Sequence, residues 1–292
     1  MPSITQDLPS SSATNTTKFR QMLNKVPEVT LFFWGIKILC TTVGETASDY
    51  LATNLNLGLT LTTLVTGVVL IVVLFFQFHS RKYVPWIYWL SVVLISVVGT
   101  QITDNLADNF NVPLETTTIA FSIILALVFA VWYAVEKTLS IHSIYTTRRE
   151  AFYWLAILFT FALGTSAGDF LAEQLNLGYL VSLGIFAGAI ALVTIAHYVV
   201  KGLLTAEHKR QSTNAVLAFW LAYILTRPLG ASIGDYLSQA RVDGGLGLGT
   251  TVTSLIFLGV ILVLVIYLTL TRKDEIPPVI VDSSDQPTSL PS

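Results

Sequence analysis

Gly44-Glu-Thr-Ala-Ser-Asp49-Tyr-Leu51 decides the reading of this chain, because it returns three times. The further copies are Gly99-Thr-Gln-Ile-Thr-Asp104-Asn-Leu106, Gly164-Thr-Ser-Ala-Gly-Asp169-Phe-Leu171 and Gly230-Ala-Ser-Ile-Gly-Asp235-Tyr-Leu237. Each lies near the end of a long apolar stretch. A carboxylate inside such a stretch is costly unless it is paired, hydrated or used. Four at matched positions describe a duplicated unit whose aspartates converge on one place.

Around the motif the chain is apolar. Of 292 residues, 53% are hydrophobic and 12% charged, where a soluble domain carries about 25% charged residues. The composition is that of an all-α integral membrane protein. Eight stretches reach the roughly 20 residues that span a bilayer core, near 28–54, 58–78, 84–109, 114–138, 151–175, 178–203, 214–240 and 247–271. They lack the alternation of barrel strands, so helices are expected. Each motif helix is followed by a tight Asn/Gly/Pro turn and a plain apolar helix. The expectation is four parallel-repeat helical hairpins, grouped as transmembrane halves 26–140 and 150–273. The flanks 1–25 and 274–292 are polar, rich in Ser, Thr, Pro or Asp, and read as disordered cytoplasmic segments.

Charge sets the orientation. His79–Lys82, Arg148–Arg149 and the 201–210 segment are basic, and Lys18, Arg20, Lys25, Arg272 and Lys273 fall on the same side. The positive-inside rule makes that side, and both termini, cytoplasmic. Trp34, Trp86, Trp89, Trp132, Trp154 and Trp220 lie toward it and read as an interfacial belt. Glu45, Asp49, Asp104, Asp108, Glu115, Asp169, Glu173, Asp235 and Asp243 gather toward the other side, where only Arg241 is basic. Nine of the 18 acidic residues there give an outer face that attracts cations.

A four-residue step returns to nearly the same helix face. Lys37, Thr41, Glu45 and Asp49 form one polar stripe. Thr100, Asp104 and Asp108 form a second, and Thr165, Asp169 and Glu173 a third. Arg227 and Asp235 share a face across Pro228. These stripes must avoid lipid, so the odd helices should line the interior and the even ones shield them. Lys37 and Arg227 read as charge-compensating cations, each expected to meet a carboxylate. Gly44, Gly99, Gly164 and Gly230, with the small residues four positions on (Gly168 and Gly234 among them), fit close helix packing. The same spacing at Gly184 and Gly188 predicts packing too. Cys40 reads as a small apolar filler, and His197 and His208 as solvated.

The stretches Lys37-Ile-Leu-Cys-Thr-Thr-Val-Gly-Glu-Thr-Ala-Ser-Asp-Tyr-Leu51 and Leu225-Thr-Arg-Pro-Leu-Gly-Ala-Ser-Ile-Gly-Asp-Tyr-Leu237 resemble a family of uncharacterised bacterial multi-pass "membrane-anchored" proteins, over roughly residues 26–273. The resemblance implies a bacterial cytoplasmic (inner) membrane location. A looser similarity, in Gly168-Asp169 and Gly234-Asp235 alone, is to cation exchangers whose motif continues with a basic residue. Here Phe or Tyr follows.

The leading expectation is a secondary transporter or exporter of a hard cation. Its binding or relay groups would be Glu45, Asp49, Asp104, Asp108, Asp169, Glu173 and Asp235, with Asp49, Asp169 and Asp235 as metal ligands if the ion is divalent. Carboxylates and hydroxyls without His or thiolate favour Mn²⁺, Mg²⁺, Ca²⁺, Na⁺ or H⁺. The alternative is a non-catalytic membrane scaffold whose polar stripes only hold the bundle together. No hydrolase, zincin, P-loop or dinucleotide motif is present, so an enzyme is not expected. Neither a resident cofactor nor a nucleic-acid partner is expected. The partners are the bilayer and a small cation, and the oligomeric state is left open.

Overall fold

The computed structural model describes residues 24–54, 58–203 and 208–275. Among them it has eight long helices and no strand. These are α1 (Leu31–Asn54), α2 (Leu59–His79), α3 (Pro85–Asp104), α4 (Leu114–Glu136), α5 (Thr147–Asp169), α6 (Tyr179–Leu203), α7 (His208–Ser238) and α8 (Thr250–Thr271). Seven are long and apolar enough to cross a membrane. α1 falls outside this set by composition, while it packs beside α3, α7 and α8. It is long enough, but Lys37, Glu45 and Asp49 interrupt its apolar run. The set as a whole is that of a membrane protein built from internal repeats.

The odd helices form a closed inner ring. α1 packs on α3, α3 on α5, α5 on α7, and α7 back on α1. Each motif glycine makes one of these joints. A Cβ on Gly44 would overlap Ser96 of α3, and one on Gly99 would overlap Phe161 of α5. One on Gly164 would overlap Arg227 of α7, and one on Gly230 would overlap Thr41 of α1. In every case the side chain received stands three residues before the next helix's own motif glycine. One rule applied four times therefore closes the ring about a pseudo-fourfold axis. Glycine is required at the joint because no other residue lets the backbones come this near.

The outer helices corrected the hairpin expectation. α2 makes only slight contact with α1, and packs on α3 instead. α4 packs on α5, α6 on α7, and α8 on α1. Each repeat thus lends its second helix to the next repeat, and the last lends its own to the first. Ser254 of α8 donates to Thr46 of α1 at 2.8 Å, and Thr66 of α2 donates to Gln101 of α3 at 2.5 Å. The outward faces of the even helices are apolar and exposed, as at Leu64, Phe75, Leu127, Leu192 and Val263. Such surfaces suit lipid tails, not water.

α3 and α5 each end in a π-helical turn directly after the motif aspartate, at Asn105–Asn109 and Phe170–Gln174. Asn111 and Asn176 then take left-handed φ values of 52° and 53°, reversing the chain into α4 and α6. Asparagine is among the few residues that accept this conformation cheaply.

Several expectations change at the basic end, where His79–Lys82 and Arg148–Arg149 lie. The tryptophans are not a belt. Trp89, Trp132, Trp154 and Trp220 are buried in an internal aromatic cluster with Phe33, Tyr88, Tyr153 and Tyr223, and only Trp86 is largely exposed. Asn24, Lys25 and Asp274, assigned to disordered flanks, are buried. Lys25 donates to Glu150 at 2.7 Å, Gln77 donates to the same carboxylate at 3.0 Å, and Tyr83 donates to Asp274 at 2.5 Å. The rest of both flanks, residues 1–23 and 276–292, lies outside the described residues. Gly184 and Gly188 face open space rather than a neighbouring helix, so their spacing does no packing within this chain. Cys40 is buried as expected, while His197 is half-buried and its Nδ1 accepts from the Asn214 amide nitrogen at 3.1 Å. The side chain of His208 lies outside the description.

Candidate functional site

Superposing the four motifs in register sorts the inner stripe into layers along the axis. Taking the motif glycine as zero, the layer at −11 holds Phe33, Tyr88, Tyr153 and Phe219. The layer at −7 holds Lys37, Val92, Ile157 and Tyr223, and that at −3 holds Thr41, Ser96, Phe161 and Arg227. At +1 stand Glu45, Thr100, Thr165 and Ala231, and at +5 the four aspartates. Helical period makes each step of four one turn up the same face.

Arg227 sits where the layers at −3 and +1 meet. Its side chain is fully buried. Nη2 donates to Glu45 Oε2 at 2.8 Å, to Thr165 Oγ1 at 2.6 Å and to Thr100 Oγ1, while Nη1 reaches the Thr41 carbonyl at 3.4 Å. The three acceptors of Nη2 are the +1 residues of α1, α3 and α5, and the fourth +1 residue is Ala231 of Arg227's own helix. One guanidinium therefore touches every other member of the ring. Thr100 and Thr165 spend their own hydroxyl protons on the carbonyls of Ser96 and Phe161, at 3.1 and 3.2 Å, which turns their lone pairs to the arginine.

Above Arg227, toward the acidic end, Glu45, Asp169 and Asp235 each offer a carboxylate oxygen within 4.8 Å of the other two. Oxygens bound to one ion at about 2.3 Å lie up to about 4.6 Å apart, so the group is of a size to share a hard cation. The trio differs from the expected ligand set at one position. Glu45 stands in it, and Asp49 does not. Asp49 is half-buried and accepts from Gln239 at 3.3 Å across the α1–α7 joint. Asp104 is half-buried and accepts from Ser48 at 3.2 Å across the α1–α3 joint. Asp108 and Glu173 are exposed at the mouth, with Tyr179 donating to Glu173 at 3.3 Å. Acidity thus runs inward from exposed Asp108 and Glu173, past Asp49, Asp104 and Asp169, to buried Glu45 and Asp235, and ends on Arg227.

Lys37 does not meet a carboxylate, contrary to expectation. It is fully buried one layer below Arg227, with Nζ 4.0 Å from the Phe161 ring centre and 4.3 Å from that of Tyr223. Nζ has no hydrogen-bond partner. Glu45, the carboxylate of its own stripe, is engaged by Arg227. Beneath Lys37 the tyrosine hydroxyls of Tyr88 and Tyr153 meet at 2.5 Å, and the Phe33 and Phe219 rings pack tilted with centres 5.9 Å apart, so the layer at −11 is a packed aromatic floor.

Gly164 makes room for the Arg227 stem, and Gly234 lies against Glu45, where a Cβ would stand 3.2 Å from that of the glutamate. Gly168 keeps ordinary contact distances of 3.7 Å to Pro228 and Ala231. Sequence reading placed Thr100 and Thr165 on the polar stripes but not as ligands of Arg227. The signal was available: in register, both occupy the position of Glu45. An apolar cleft of about 810 Å³ lies elsewhere, between α1, α6 and α7, lined by Trp34, Ile38 and Phe219. It has no carboxylate and does not include the trio.

A family model described as Repeat of Unknown Function (DUF347) matches the chain four times, at residues 32–83, 87–138, 152–202 and 218–274. The chain belongs to this repeat family. Each match holds one inner helix and the outer helix that follows it, so the repeat in sequence is offset by one helix from the unit that packs in space. No curated protein and no solved structure matches the chain.

Proposed function

We propose that this protein is a secondary transporter or exporter of a hard cation, set in a bacterial cytoplasmic membrane with both termini cytoplasmic. The observation that carries the reading is the trio Glu45, Asp169 and Asp235, drawn from three different inner helices to within 4.8 Å on the axis of the ring. Repeated carboxylates facing a bundle interior are characteristic of cation pathways. Oxygen-only ligands favour Mn²⁺, Mg²⁺ or Ca²⁺ over softer metals. Exposed Asp108 and Glu173 would gather cations at the mouth, and half-buried Asp49 and Asp104 would pass them inward.

A second reading, a non-catalytic scaffold, draws on the Arg227–Glu45 pair, which also ties α7 to α1. Asn and Gln keep shape and hydrogen bonding but cannot ionise. Glu45→Gln, Asp169→Asn and Asp235→Asn, reconstituted singly in proteoliposomes, should lose flux of the transported ion while keeping a normal size-exclusion profile. Full flux in folded variants would sink the transporter, and misfolding of all three would favour the scaffold.

A further inference from the structure

We infer that Arg227 is a tethered competitor of the transported cation, holding Glu45 until the cargo displaces it. The inference rests on the cation reading above and concerns how that same site is regulated. Its basis is the geometry of one side chain. The guanidinium lies on the ring axis immediately below the carboxylate trio and shares Glu45 with it. It bonds to the +1 residues of all three other inner helices, so nothing passes along the axis while it stays. Gly164 leaves the space its stem occupies.

The other three residues of its layer, Thr41, Ser96 and Phe161, are uncharged. A structural tie between α7 and α1 would need only the bond to Glu45. The bonds to Thr100 and Thr165 place the charge at the centre instead, where it acts as a cation already in the pathway. A cation entering the trio meets a like charge at close range, so binding and the Arg227–Glu45 bond oppose each other. Occupancy of the trio would then loosen the plug from above. Coupling of this kind is reciprocal: the factor by which the Arg227–Glu45 bond lowers cation affinity is the factor by which a bound cation weakens that bond.

This sign separates a competitor from a residue that merely positions Glu45. The full chain in detergent would be titrated with Mn²⁺ by calorimetry. Arg227→Gln should bind Mn²⁺ at least ~10-fold more tightly than the unmodified chain, because a like charge at close range has gone. The double variant Thr100→Val with Thr165→Val leaves every charge in place and removes only two acceptors of the guanidinium. It should bind more tightly as well, by a smaller factor, and it serves if Arg227→Gln fails to fold. Weaker or unchanged affinity in either folded variant overturns the competitor and leaves the transporter standing. No Mn²⁺, Mg²⁺ or Ca²⁺ binding by the unmodified chain overturns both.

Discussion

Arg227 and Glu45 stand 182 residues apart in the chain and meet at 2.8 Å on the axis of the inner ring. The pair joins the last inner helix to the first, with almost no water near either charge. Removing one partner of a buried ion pair leaves the other uncompensated, which costs about 3–5 kcal/mol. Glu45→Ala should therefore destabilise the fold by that order, seen as a lower thermal midpoint in detergent. Adding Arg227→Met should recover much of the loss, since a well-packed apolar pair is often no worse than the ion pair. Strictly additive losses in the double variant would show that the two residues do not interact.

The ring joints predict a sharp contrast among glycines. Gly99→Ala drives a methyl into Phe161 Cβ, and the Ala162 backbone nitrogen stands 3.2 Å away, so the helices must part. Overpacking of this kind costs about 1–3 kcal/mol. Gly184→Ala and Gly188→Ala meet open space on α6, and alanine is the better helix former by about 1 kcal/mol. These two should be neutral or stabilising. Equal effects at all three positions, read as shifts in thermal midpoint, would refute the glycine-joint account.

Lys37 yields a prediction of opposite sign to the one its sequence suggests. From the stripe alone, Lys37→Met should strand a carboxylate. In the fold Nζ has no acceptor, and only the faces of Phe161 and Tyr223 attend it. Those cation–π contacts are worth about 2 kcal/mol or more when desolvated, still well below the cost of burying an isolated ammonium without hydrogen bonds. Lys37→Met should unfold at an equal or higher temperature, and loss of flux would then mark Lys37 as functional rather than structural. A drop of several degrees would restore an undetected ionic partner.

Much of this site is legible in the sequence and some of it is not, for a physical reason. Helices, aspartates and joint glycines follow from hydropathy and a four-residue step, which are properties of single helices. Which carboxylates converge depends on how the ring turns each helix. That rotation brings Glu45 into the trio and leaves Asp49 at the α7 joint. Likewise the tryptophans are amphipathic enough for an interface, but the closing ring buries four of them. The packing offset, with α2 on α3 and α8 on α1, has no trace in any one repeat, because it concerns the relation between repeats.

Asp274 supplies a pH test outside the membrane helices. Burial holds its carboxyl above the ordinary aspartate range, against the opposing effect of the Tyr83 hydroxyl. A carboxyl with a raised folded pKa favours the fold most when protonated. Its contribution is present below the unfolded value near 3.8 and declines as pH rises through the folded one. Asp274→Asn keeps an acceptor for Tyr83 and removes that decline. The variant should gain thermal stability over the parent as pH is raised from 4 to 7, and a difference that stays constant over that range would contradict the assignment.

The final test addresses the closed ring itself. The first and last described segments already touch, with Glu28 N donating to the Asp274 carbonyl at 3.0 Å. Both lie at the basic end, as does the turn between α2 and α3. A permuted chain can therefore join the two ends by a short linker, in place of 1–23 and 276–292, and open between Arg81 and Lys82. It would read α3 through α8, then α1 and α2, with both new termini on their original side. Every glycine joint and every outer-helix contact survives this change, since each depends on neighbours in the ring rather than on chain order. α2, now last, still packs on α3, now first. The permutant should fold, bind Mn²⁺ and unfold within a few degrees of a linear chain trimmed to 24–275. If instead the repeats were self-contained odd–even hairpins arranged in a row, α8 would have no need of α1, and the trimmed chain should tolerate deletion of 244–275. Failure of the permutant with survival of that deletion would replace the ring by the row.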